Sequence, residues 1–127
     1  MAAGEGSAVD ASQVENVINE VSNTPIEIPN ADSKNLFAIH VDNRSNADPT
    51  FVKLWNDPTV TYATEEPDLK FKIPGGKQGS TRIRFSAAST SPITVNSEKW
   101  WVAASKSSAV AGAAPGILVN VRITRDA

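Results

Sequence analysis

From Leu36 onward the apolar positions alternate with polar ones. Leu36 to Val41 places Phe37, Ile39 and Val41 on one face. Thr50 to Asn56 places Val52 and Leu54 on one face and Phe51, Lys53 and Trp55 on the other. Leu69, Phe71 and Ile73 alternate with Lys70 and Lys72, and Ile83 and Phe85 with Arg82 and Arg84. Trp100 to Ala104 reads as a further strand, with a short one before it at Ile93 to Val95. Ile117, Val119, Val121 and Ile123 alternate through the last. Side chains of a strand point to opposite faces in turn, so this period of two predicts half-buried strands. Turn-forming clusters separate them: Asn43 to Pro49, Asn56 to Pro58, Pro74 to Gly79, Ser89 to Pro92 and Gly112 to Gly116. Six or seven short strands divided by Gly/Pro loops predict an all-β body, a β-sandwich or jelly roll.

The first third reads differently. Val14, Val17, Ile18 and Val21 fall at i, i+3, i+4 and i+7, which predicts one short helix with an apolar stripe. Ser12 to Glu15 fits a capping box, and Thr24-Pro25 would end the helix. Pro25 and Pro29 bracket Ile26 to Ile28 and favour an extended crossing. Charge divides the chain at the same place. Residues 1–33 carry six acids and no base, whereas residues 34–127 carry twelve bases and eight acids. The expected organisation is an acidic N-terminal arm over 1–33, holding the helix, joined to a β-sandwich domain over 34–127. A helix of about ten residues is marginal alone, so its stripe needs a surface to dock on.

Composition removes several classes of chemistry. The 127 residues suffice for one modest core. There are no cysteines, which excludes disulfides, thiolate metal sites and Cys nucleophiles, and the single histidine, His40, excludes a His-rich zinc site. A net charge of −2 gives no strong non-specific grip on nucleic acid. The longest apolar run, Trp100 to Ala104, is far short of a membrane span, and no basic-then-apolar leader opens the chain. The expectation is a soluble protein made in a cytoplasm, with no nucleic-acid or membrane partner and no cofactor or metal.

Motifs for catalysis are weak. Gly75 to Thr81 holds the letters of a phosphate loop, but Gln78 and Gly79 part Lys77 from the hydroxyl, so a hairpin turn is the expected reading. Asp42 to Asp48 is rich in oxygen ligands but lacks the central Gly and distal Glu of a calcium loop, and the same residues favour turns. Asn43-Arg-Ser45 is a glycosylation sequon. Glu65, Glu66 and Asp68 flank Pro67 in what reads as a solvated loop. No Gly-x-Ser-x-Gly elbow is present. An enzyme is not expected.

The surface is more informative. Consecutive Trp100 and Trp101 must point to opposite faces of their strand. One enters the core, and the other lies on the outer face, under a loop, under the arm or against a partner. Trp55 raises the same question. Such aromatics serve as anchors at protein interfaces, or stack on sugars. Lys70, Lys72, Arg82 and Arg84 are expected on the outer face of one hairpin, either as a solvated face or against an acidic counter-surface.

Leu36-Phe-Ala-Ile-His-Val-Asp-Asn43, Phe51-Val-Lys-Leu-Trp55, Glu66-Pro-Asp-Leu69 and Ile73-Pro-Gly-Gly76 form an ordered series. Over residues 36–86 it resembles small β-sandwich virion proteins of tailed phages, of the capsid decoration (cement) type. The resemblance implies a non-enzymatic protein on the outer capsid surface that bridges neighbouring major capsid subunits and stabilises the head. It also implies a homotrimer that exchanges terminal arms. The interface residues expected on this reading are Val14, Val17, Ile18 and Val21 of the arm, the bases Lys70, Lys72, Arg82 and Arg84, and the anchors Trp55, Trp100 and Trp101. A tail or neck component and a carbohydrate-binding β-sandwich module are the alternatives.

Overall fold

The computed structural model describes residues 13–32, 34, 36–82 and 99–126. These hold eight strands: β1 (Gln13–Val21), β2 (Ile26–Glu27), β3 (Leu36–Asp42), β4 (Thr50–Asn56), β5 (Leu69–Ile73), β6 (Gln78–Arg82), β7 (Trp100–Ser105) and β8 (Val119–Asp126). They form two four-stranded antiparallel sheets, ordered β1-β8-β3-β6 and β2-β7-β4-β5. Every connection between successive described strands passes to the other sheet except the one from β4 to β5, so most sheet neighbours are remote in sequence. β1 pairs with β8, β2 with β7, β3 with β6 and β4 with β5.

The core lies between the sheets. Ile18, Ile39, Val41, Val121 and Ile123 enter it from one side, and Val52, Leu54, Trp100, Val102 and Ala104 from the other. The inward positions of β7 and β8 alternate as the period of two requires, but the register of β3 shifts between Leu36 and Ala38, so Leu36 rather than the expected Phe37 joins Ile39 and Val41 in the core. β4 departs from a simple alternation, because six of its seven positions are buried. Its second face is also covered, and the cover is made of loops.

The expected helix is a strand. β1 runs antiparallel to β8 from Gln13↔Asp126 to Ile18↔Val121, and then slips so that Val21 faces Val119. Glu20 takes φ 56° at the slip. The β-bulge changes the phase of the strand, so that Ile18 and Val21, three residues apart, both turn inward. That produces the i, i+3 spacing that imitates a helix. The stripe is also made wholly of β-branched residues, which fit a pleated surface better than a helix.

The boundary expected at residue 33 does not separate an arm from a body. β1 and β2 are members of the two sheets, and Ile28 and Ala31 are fully buried. Residues 13–32 therefore belong to the sandwich, while residues 1–12 lie outside the described residues. The short strand expected at Ile93 to Val95, and the positions Ile83 and Phe85, also lie outside them. At the other end, β8 begins at Val119, leaving Ile117 and Leu118 exposed.

The hairpin expected around Pro74 to Gly79 is not one. β5 lies in one sheet and β6 in the other. The turn between them, with Gly76 at φ 73°, carries the chain across the end of the sandwich. Nothing local distinguishes such a crossing from a hairpin turn, because both need a residue tolerant of positive φ.

Candidate functional site

The outer face of the β2-β7-β4-β5 sheet is where the expected anchors collect. Trp55 and Trp101 are cross-strand partners on it, and Phe51, Lys53, Lys70 and Lys72 continue the surface. Two loops fold over its middle. From residues 57–68, Tyr62 meets the Trp55 ring edge-on at 6.3 Å between centroids. Glu65 O accepts the Trp55 indole N–H at 3.1 Å, and Asp57 O accepts that of Trp101 at 2.9 Å. From residues 106–118, two carbonyls accept from lysines of the sheet and a third from the 57–68 loop. Ser108 O accepts from Lys70 at 2.9 Å, Ala109 O from Lys53 at 2.6 Å, and Gly112 O from the Tyr62 hydroxyl at 2.6 Å.

Lys53 is the residue that sequence reading missed. It stands among outward-facing residues, yet its side chain is fully buried. Its ammonium group lies 5.2 Å from the Tyr62 ring centroid and 3.3 Å from the Tyr62 hydroxyl. Burial pushes its pKa below the ordinary 10.5. Nearby Lys70 adds to that shift, and Glu66 opposes it. The available sign was Lys53 standing inside the continuous run Phe51 to Trp55.

This arrangement settles the tryptophans. Trp100 is in the core, with its indole N–H donated to Lys34 O at 2.8 Å. Trp55 is fully buried beneath the 57–68 loop. Neither offers surface to a partner, which corrects their expected role as anchors. Trp101 is half-buried. On β1, Ile18 and Val21 are likewise spent on the chain's own core, whereas Val14 and Val17 are exposed at 36% and 59%. Lys70 and Lys72 are exposed, and Lys72 lies 6.0 Å from the Phe51 ring centroid. Arg82 ends β6 in the opposite sheet, so the four bases do not share one hairpin face. Arg84 lies outside the described residues.

The oxygen-rich loop after β3 is an internal joint. Asn43 is fully buried, and its amide donates to Asp48 O, Ile73 O and Pro74 O at 3.1 to 3.2 Å. Its side-chain oxygen accepts from Asn46 Nδ2 at 2.9 Å and Thr50 Oγ1 at 2.8 Å. Asn46 in turn grips both backbone groups of Ile117, at 2.7 and 2.8 Å. Asp42 is taken by Arg44 in a two-point contact at 2.9 and 3.0 Å. These oxygens already serve protein donors. The phosphate-loop lookalike joins the same structure, since Gly76 N donates to Asn43 O and Asn46 O.

His40 lies on the outer face of the other sheet. Its Nδ1 is 2.6 Å from Ser80 Oγ, and its Nε2 is 3.2 Å from Gln78 Oε1. The third group is a carboxamide, which orients the ring without the charge that would stabilise an imidazolium. Two acids of the 65–68 stretch, Glu65 and Asp68, accept backbone N–H groups. Asp68 accepts from Asn56 N at 2.6 Å and Glu65 from Thr61 N at 3.3 Å. Among the described residues there is no group of three metal-ligating side chains. A crevice of about 90 Å³ is lined by the 46–50 segment, Lys106 and the 115–116 segment. Comparison with family models, curated proteins and solved structures finds no match for this chain.

Proposed function

We propose that this protein is a non-catalytic structural component of a tailed-phage virion, a decoration protein that binds the outside of the head and bridges major capsid subunits. The observation that carries this reading is the strand order β1-β8-β3-β6 against β2-β7-β4-β5. It is the order obtained when one long antiparallel ribbon rolls up on itself, so the sandwich is read as a jelly roll, an architecture used by viral capsid domains. The resemblance of residues 36–86 to virion β-sandwich proteins points the same way.

The attachment differs from the one expected from sequence. Since β1 and β2 are built into the body, contact runs through exposed positions of the sandwich, among them Val14 and Val17 on β1 and Lys70 and Lys72 on β5. Each contact is weak, and many copies on one shell make the effect additive. The carbohydrate reading needs tryptophans presented to solvent, and two of the three are fully buried.

The test is to mix the purified chain with undecorated phage heads and count copies per particle by quantitative electrophoresis. Binding in hundreds of copies, with heads more resistant to heat, is the expected result. Copies in tens or fewer would assign the protein to the neck or tail, and no binding would overturn the virion reading.

A further inference from the structure

Among the described residues, four strands end the two sheets, and three of them carry the usual protection against pairing with another chain. β2 is two residues long and lies between Pro25 and Pro29. β5 has Lys70 and Lys72 exposed along it and Pro74 directly after it. β6 is five residues with Gly79 inside it, which weakens a strand. β1 is different. It is nine residues long and contains no Pro, Gly, Lys or Arg. Its one distortion, the bulge at Glu20, lies at its end and leaves Gln13 to Asn19 extended. Val17, the most exposed large apolar side chain among the described residues, stands at its middle.

We propose that β1 is a self-association edge, on which two copies of this chain pair antiparallel about a two-fold axis through Val17. Opposed residues in an antiparallel ladder share a face, so this register sets Val17 against its own copy and Glu15 against Asn19 of the partner. The two exposed valines cover each other, and no acid meets an acid. That matters because every charge on β1 is negative. A strand of a different protein would have to supply both the apolar residue and the neutral polar one in this order, whereas a second copy does so by symmetry. The result is one continuous eight-stranded sheet. Each copy contributes a single strand edge, so the dimer is transient and concentration-dependent. The inference is independent of the virion reading.

The absence of native cysteine makes the register directly testable. In the full chain, Val17→Cys is expected to form a disulfide-linked dimer under mild oxidation. Glu15→Cys is not, since the register holds its two copies well beyond the ~7 Å Cα limit for a disulfide. Analytical ultracentrifugation from micromolar concentration to about 1 mM should show reversible dimerisation of the native chain. Val17→Lys should abolish it and leave the thermal transition in place. A chain that stays monomeric throughout, equal crosslinking of the two cysteine variants, or dimerisation untouched by Val17→Lys would each overturn the proposal.

Discussion

The ammonium nitrogen of Lys53 lies 2.6 Å from the carbonyl oxygen of Ala109, so a strand in the middle of one sheet holds down a loop 56 residues further along the chain. Removing the side chain should cost twice, through lost packing and through a carbonyl left without its donor. Lys53→Ala is expected to destabilise by about 2–4 kcal/mol. Lys53→Met keeps the stem and removes the charge, and should lie within about 1–2 kcal/mol of the native chain. Urea titrations of both variants decide this.

The same lysine makes stability depend on pH in a fixed direction. Its folded pKa is depressed below 10.5 by burial. The unfolded chain therefore holds the proton more tightly across the interval up to 10.5, and stability rises with pH through that interval. Below it, the cost of burying the charge is felt in full. Urea melts at neutral pH and near pH 10 should show the native chain gaining stability relative to Lys53→Met.

Asn43 closes one end of the sandwich with five side-chain hydrogen bonds, all to other loop or strand residues. Asn43→Ala should cost about 3 kcal/mol or more, because several buried groups lose partners together. Asn43→Asp should be no better, since its carboxylate would face the three carbonyls that now accept from the amide. The burial of the same amide predicts that Asn43 carries no glycan when the chain is secreted from a glycosylating host, which intact mass would check.

Two adjacent glycines should respond differently to a methyl group. A Cβ on Gly75 would collide with the backbone carbonyl of Ala47, which lies between Asn46 and Asp48 of the Asn43 joint, so Gly75→Ala must force the two loops apart. Gly76 has open space but φ 73°, so Gly76→Ala meets only conformational strain of about 1–2 kcal/mol. Thermal denaturation should rank Gly75→Ala well below Gly76→Ala.

Asp42 and Arg44 form an exposed pair in which the Arg44 hydrogen bonds hold the Asp42 carboxyl at about 2, against an ordinary 3.8. Its small contribution to stability is present above 3.8 and lost as pH falls through about 2. An NMR titration of Asp42 should show the low midpoint, and Arg44→Ala should return it towards 3.8.

The strands β3, β4, β5 and β7 were legible because half-buried strands leave a period of two in the residues themselves, and Gly and Pro mark where they stop. The opposite faces of Trp100 and Trp101 followed from the same geometry. β1 was misread because its bulge breaks that period, and a bulge is recognisable only against the register of β8, about a hundred residues away. Which strands share a sheet was equally hidden, since the turn at Gly76 suits a hairpin and a crossing alike. The fate of Lys53 depended on two loops whose own sequences carry no periodic signal. Local patterning records what each segment buries, but the identity of the covering surface comes from contacts between distant parts of the chain, and those exist only once the sheets have paired.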